Sequence, residues 1–194
     1  MVKAINKRCS KDLQAAADGY CKFWVNNCTF IEHDVSKTPF PVMADVMYAR
    51  FLLSHLRDVE ELVNRWLKEL NEGGMVFIEE LEDITTESEV FRKYLKINDG
   101  LIASQGASLY VGTILAGGSY TTEVLCNECL TIPVANSQAA SWFFPNTVTL
   151  WKEVQHVLDA TSQEEREKIS RELLRIKESN DTRRGITWKM RRLV

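Results

Sequence analysis

Four short stretches carry side chains that could do chemistry just past a strand. Asn6 and Lys7 follow the β-prone residues 1–5, and Asp34 and Val35 follow Thr29-Phe-Ile-Glu-His. Tyr48, Ala49 and Arg50 close the run that starts at Ala44, and residues 79–82 close Met75-Val-Phe-Ile. In an open parallel sheet, ligands bind outside the carboxyl ends of the strands, which makes all four stretches candidates. Asp34 is a short carboxylate able to accept from an exocyclic amine or a ribose hydroxyl, and it equally suits a turn. Arg50 offers a planar guanidinium for bidentate contact with a carboxylate. His55 is either a base or a polar residue in the first turn of its helix. The aromatic cluster Trp142-Phe-Phe suits core and pocket alike.

Other chemistries find little support. The sequence contains no G-x-S-x-G, H-E-x-x-H, G-x-x-x-x-G-K-[ST] or G-x-G-x-x-G, so nucleophilic, zinc-protease and P-loop mechanisms have no anchor. Cys126-Asn-Glu-Cys129 lacks two further ligands at metal spacing and reads as a strand with small half-buried thiols; no metal is expected. Five cysteines at irregular spacing point to reduced thiols and a cytoplasmic protein. The net charge of −3 is spread along the chain, which argues against nucleic acid as partner. The C-terminal cluster Arg183, Arg184, Lys189, Arg191 and Arg192 reads as edge-strand and loop solvation charge. No apolar stretch reaches the roughly 20 residues that a bilayer demands.

The elements that must hold these residues follow from periodicity. Strands are expected at 1–5, 29–33, 44–48, 75–80, around 123–132 and at 186–194. A helix is expected at 10–19 behind Ser10. The clearest helix carries Leu56, Val59, Leu62, Val63, Trp66, Leu67 and Leu70 on one face, with Gly73-Gly74 ending it. Further helices are expected at 87–106, from Asn146 or Thr147 to Leu158, and from Ser162, whose capping-box partner is Glu165. Strands alternating with helices imply an α/β fold with parallel crossovers, the last two strands forming an antiparallel pair at the sheet's edge. No linker or repeat divides residues 1–194, which read as one domain.

These residues, taken together, resemble class I S-adenosylmethionine-dependent methyltransferases of the small-molecule type. The resemblance lies in Phe30-Ile-Glu-His-Asp-Val, Phe40-Pro and Ala44-Asp-Val-Met-Tyr-Ala-Arg-Phe-Leu-Leu-Ser-His-Leu. It continues through Leu70-Asn-Glu-Gly-Gly-Met-Val-Phe-Ile-Glu-Glu, Leu109-Tyr-Val-Gly and Gly185-Ile-Thr-Trp-Lys-Met. It implies a Rossmann-like sheet, S-adenosylmethionine as cofactor and a small-molecule methyl acceptor. By the same resemblance Asp34 meets the adenine amine, Val35 offers its backbone to the ring, and Asn6 stands at the ribose. Tyr48, Ala49 and Arg50 line the reacting end, with Arg50 and His55 the catalytic candidates. Residues 91–120 help cover the substrate.

Two departures from that family qualify the expectation. Asn6 replaces an acid that grips both ribose hydroxyls, and an amide brings one acceptor oxygen and no charge. The family's first strand and its glycine-rich turn, which belong upstream of residue 1, are expected to be missing. That strand is central, between residues 1–5 and 44–48, so its loss leaves backbone groups for another strand or a second molecule to satisfy. Losing two or three hydrogen bonds to a charged ligand removes about 3–9 kcal/mol, enough to turn a micromolar site millimolar or worse. A catalytically degenerate binding protein, or a fragment completed by another strand or chain, is therefore the alternative to a methyltransferase. A homo-oligomer through the incomplete sheet follows from the same reasoning.

Overall fold

The computed structural model describes residues 2–5 and 29–194. Asn6 and the helix expected at 10–19 lie outside the described residues. Two parallel strands, β1 (Val2–Ile5) and β2 (Thr29–Glu32), pair with each other. A second sheet has the order β3-β4-β6-β5, from β3 (Ala44–Arg50), β4 (Leu70–Thr86), β5 (Asn127–Val134) and β6 (Ile186–Leu193). β3 and β4 run parallel, whereas β6 is antiparallel to both β4 and β5. Among the described residues the sheet is divided between β1 and β3, where the missing central strand was expected. β3 is consequently an edge among the described residues.

Seven helices connect the strands in the described part: α1 (Val59–Leu67), α2 (Glu89–Ser104), α3 (Gly112–Gly117), α4 (Asn136–Val148), α5 (Leu150–Glu153), α6 (Gln155–Ala160) and α7 (Gln163–Glu178). α1 buries Val59, Leu62, Val63 and Trp66 against one face of β3 and β4, where Ala49, Val76 and Ile78 meet them. Each such large side chain contributes about 1.5–3 kcal/mol on burial. A second core lies on the opposite face of the β4–β6–β5 end. There Leu81, Ile84, Met190 and Ile186 pack under Phe91, Phe143, Trp151 and Leu173 of the helical layer. Ser162 caps α7 as its spacing predicts, its hydroxyl accepting from the Glu165 N–H at 3.1 Å.

The structure corrects the sequence reading at four places. The helix before Gly73-Gly74 ends at Leu67, and Leu70 already pairs with Ala44. The next pair is Val46 with Met75, so β4 takes up extra residues in a bulge. Gly73 adopts φ +77° there, and a Cβ on Gly74 would meet the Asn71 and Asp45 carbonyl oxygens at 3.0 Å. The glycine pair thus builds a bulge and not a helix cap. The helix expected from Asn146 starts ten residues earlier, because carbonyls of Arg183 and Asp181 receive the N–H groups of Asn136 and Ser137. Pro145 then sits in its last turns, and the chain continues as two short helices.

The third correction concerns residues 79–82, which do not close a strand: β4 continues to Thr86 because β6 pairs with it that far. The fourth concerns the basic C-terminus. β6 lies between β4 and β5, and its cations are partnered: Lys189 with Asp83 at 3.3 Å, Arg192 with Glu79 at 2.9 Å, and Arg191 with Glu82. They are ladder pairs inside a sheet and not the fringe of an edge.

Trp151 is fully buried and stacks on Tyr94 at 5.4 Å. Trp151→Ala should cost about 3–5 kcal/mol, read as a lowered urea midpoint with an unchanged slope.

Candidate functional site

The stretch that follows β3 is held from β4 by two adjacent glutamates. The Phe51 N–H donates to the Glu79 carbonyl at 3.2 Å. The next two N–H groups, of Leu52 and Leu53, both donate to Glu80 Oε1, at 2.7 and 2.8 Å. Three successive backbone donors are thereby fixed by residues 79 and 80. The turn needs such clamping, because Phe51 has φ +50°, a left-handed conformation that costs a bulky residue about 1 kcal/mol or more. Glu80 itself is fully buried, and its Oε2 has no partner among the described residues. Desolvation pushes its carboxyl above the ordinary range, against the pull of the backbone N–H groups.

Glu79 points to the opposite face. Its Oε2 accepts from the Tyr48 hydroxyl at 2.8 Å and lies 3.8 Å from Arg50 Nε. Its Oε1 takes Arg192 at 2.9 and 3.2 Å, and Arg192 also reaches Glu128 at 3.1 Å. The Tyr48 hydrogen bond and Arg192 together hold the Glu79 carboxyl below its usual range. Burial and the same carboxylate push the Tyr48 phenol up. Tyr48 and Arg50 are therefore brought together on one surface around Glu79. Ala49, between them, turns to the other face and is buried against α1.

The remaining sequence candidates lie apart from that cluster. Asp34 closes its own turn: Oδ1 accepts from the Ser36 N–H and hydroxyl at 3.1 and 2.7 Å, and Lys37 stands 3.5 Å from Oδ2. The Ser36 bonds lower its pKa. Val35 is buried, and its carbonyl accepts from Trp66 Nε1 at 2.9 Å, which docks the loop after β2 onto α1. His55 ends a single 3-10 turn, Leu53–His55, with an exposed side chain; desolvation on its packed side lowers its pKa. An open cleft of about 690 Å³ lies beside it, lined by Arg57, Asp58, Glu60, Glu61, Asn64 and Ser108. It shares no lining residue with the Tyr48–Glu79–Arg50 cluster.

Sequence reading did not single out the roles of Glu80, Arg192 and Phe51. The run Ile78-Glu-Glu-Leu gave a signal for Glu80, because a carboxylate in a two-sided apolar strand needs a partner. Nothing local ties Arg192 to Glu79.

No protein-family model matches the sequence, and no curated protein does. Solved structures do match it. Coclaurine N-methyltransferase, bound to N-methylheliamine and S-adenosylhomocysteine, superposes with a TM-score of 0.52 at 10% identity, over 99% of this chain and 59% of that one. A candidate methyltransferase from Bacillus halodurans gives 0.55 at 13% identity, over 99% and 80%. Phosphoethanolamine N-methyltransferase 2 from Haemonchus contortus, in complex with phosphomonomethylethanolamine and S-adenosylhomocysteine, gives 0.48 at 17%, over 94% and 41%. The chain thus spans less than two thirds of the coclaurine and the Haemonchus enzymes. The likenesses to the coclaurine and Bacillus structures show the fold: this chain has the α/β fold of class I S-adenosylmethionine-dependent methyltransferases.

Glu80 separates two effects in one residue. Glu80→Ala should destabilise the chain by about 2–5 kcal/mol, since two N–H groups lose their acceptor and a cavity opens. Glu80→Gln keeps an acceptor oxygen and should stay within about 1 kcal/mol of the native chain near pH 4. Because the folded pKa is raised, the folded state binds the proton more tightly, and stability falls as pH rises from the ordinary carboxylate value toward the raised one. The Gln variant lacks that slope, so urea unfolding should show it gaining on the native chain between pH 4 and pH 7.

Proposed function

We propose that this chain takes part in S-adenosylmethionine-dependent methyl transfer to a small molecule. The observation that carries the reading is the meeting of Tyr48, Arg50 and Glu79 at the carboxyl end of β3, the edge where this fold binds ligands. The described residues suit two parts of such a cofactor. Asp34, with a half-exposed carboxylate, stands after β2 for the adenine amine. Tyr48 and Arg50 stand at the reacting end. When bound, the cofactor supplies an electrophilic methyl group on a sulfonium. The chain's own part is positioning, which is worth several kcal/mol of barrier when the reacting atoms are held in line. Arg50 would orient an acceptor carboxylate, while His55, the other catalytic candidate, lies apart from the Glu79 cluster and would serve as base only for an acceptor that reaches it.

One observation favours a second reading, a methyltransferase fold that binds without catalysing. The Asp34 carboxylate is already engaged by Ser36 and Lys37. Calorimetric titration with S-adenosylhomocysteine decides between them. The non-catalytic reading expects a Kd no better than millimolar; a micromolar Kd that weakens roughly tenfold in Asp34→Ala would sink it.

The edge of β3, unpaired among the described residues, supports a further part of the proposal, a homo-oligomer formed through the divided sheet. Val46 and Tyr48 are exposed on one face of that strand, beside the exposed Met75 of β4. A bare strand edge with apolar flanks is a template for pairing. Sedimentation velocity should show a concentration-dependent dimer, and a strict monomer up to about 100 μM would refute it.

A further inference from the structure

β3 stops at Arg50, opposite Glu79, while β4 continues to Thr86 with β6 alongside. The β4–β6 ladder therefore stands as a wall beyond the end of β3. Alternation along β6 puts Trp188 on the same face as Arg192, and so on the face of Tyr48 and Arg50. Two rings meet Trp188 edge-on: Phe51 at 5.8 Å and Trp142 at 5.2 Å between centroids. Trp188 is half-buried, but Phe51 is 40% and Trp142 46% exposed. Phe143, the neighbour of Trp142, faces the core instead, so the tryptophan is turned out of an otherwise buried helix face. Large aromatic rings left in water beside a strand end make an apolar surface for a flat ligand.

The charges around these rings select the kind of ligand. The Arg50 guanidinium sits 5.2 Å from the Phe51 centroid. The cation tethered over one face of the Phe51 ring repels a second, ammonium one. Among the described residues Arg50 in turn is loosely paired. Its nearest carboxylate, Glu79 at 3.8 Å, has its two oxygens engaged by Tyr48 and Arg192. A guanidinium with unspent donors beside exposed rings complements a carboxylate carried on an aromatic ring.

We propose that Arg50, Phe51 and Trp142 form a binding site for a planar aromatic carboxylate, whose ring lies on Phe51 and Trp142 and whose carboxylate meets Arg50. That this ligand is the methyl acceptor rests on the function proposed above; the binding site does not. The test is calorimetric titration of the whole chain with 4-hydroxybenzoate, with benzylamine and cyclohexanecarboxylate for comparison, and S-adenosylhomocysteine titrated separately. Arg50 and Trp142 are exposed, so Arg50→Leu and Trp142→Ala should keep the native far-ultraviolet circular dichroism. The expected result is saturable binding of 4-hydroxybenzoate that weakens roughly tenfold in each variant, about 1.4 kcal/mol. Cyclohexanecarboxylate should bind more weakly and benzylamine should not compete. Absence of saturation, binding unchanged in both variants, or benzylamine binding as tightly would overturn the site. A chain that binds 4-hydroxybenzoate but not S-adenosylhomocysteine keeps this site and loses the methyl-transfer reading; the reverse pattern does the opposite.

Discussion

Two neighbouring glutamates on one strand organise the end of another. Strand geometry sends successive side chains to opposite faces, so Glu79 and Glu80 act on different sides of the sheet. Glu80 works from within, taking the N–H groups of Leu52 and Leu53 while giving up its own hydration. Glu79 works from the surface, gathering Tyr48, Arg50 and Arg192, and its carbonyl holds Phe51. Burying a carboxylate costs several kcal/mol unless hydrogen bonds offset it, and two charge-assisted bonds do so only in part. The return is a left-handed Phe51 that could not persist unclamped. That conformation turns the Phe51 ring onto Trp188, while Arg50 stays on the surface with Tyr48.

The division of the sheet and the reach of β4 give the site its setting. Among the described residues β3 is short and unpaired on one side, and β4 is long and paired beyond it on the other. The candidate residues thus stand on a step, with the end of β3 below and an aromatic wall above. The loop after β2 is placed independently, through the Val35 carbonyl on Trp66 and the Phe40 N–H on Glu69 at 2.9 Å. α1 is the common support of both halves, since the helix that receives that loop also packs under Ala49.

Much of this was legible in the residues. Apolar periodicity located α1, α2 and α7, and Ser162 with Glu165 marked a cap that the structure contains. Alternation from Ile186 marked β6, and the run after Gly74 marked a buried strand. What failed was context. Gly73-Gly74 reads the same at a helix end as in a bulge, and only the pairing of Leu70 with Ala44 distinguishes them. The basic C-terminus reads as solvated fringe until β5 is seen to pair outside β6. Strand ends set by apolar runs marked Tyr48 and Arg50, which the structure gathers around Glu79, and marked Glu79 and Glu80 as strand-end residues, which they are not. Their importance comes from crossing to β3, a relation between residues about thirty apart that no local pattern encodes.

The position of β6 also bears on how the chain is made. β4 and β5 have no contact in the ladder except through β6, which lies beyond the entire helical layer of residues 135–185. On a ribosome, among the described strands, β5 emerges before its partner and β4 has its parallel neighbour alone. The helical layer must therefore form, or wait, over a half-built sheet whose apolar face is uncovered. Such long-range closure is slow and leaves strand edges exposed in the meantime. The carboxylates spaced along β4, at positions 79, 82 and 83, keep that waiting strand charged until the arginines and lysine of β6 arrive to neutralise it.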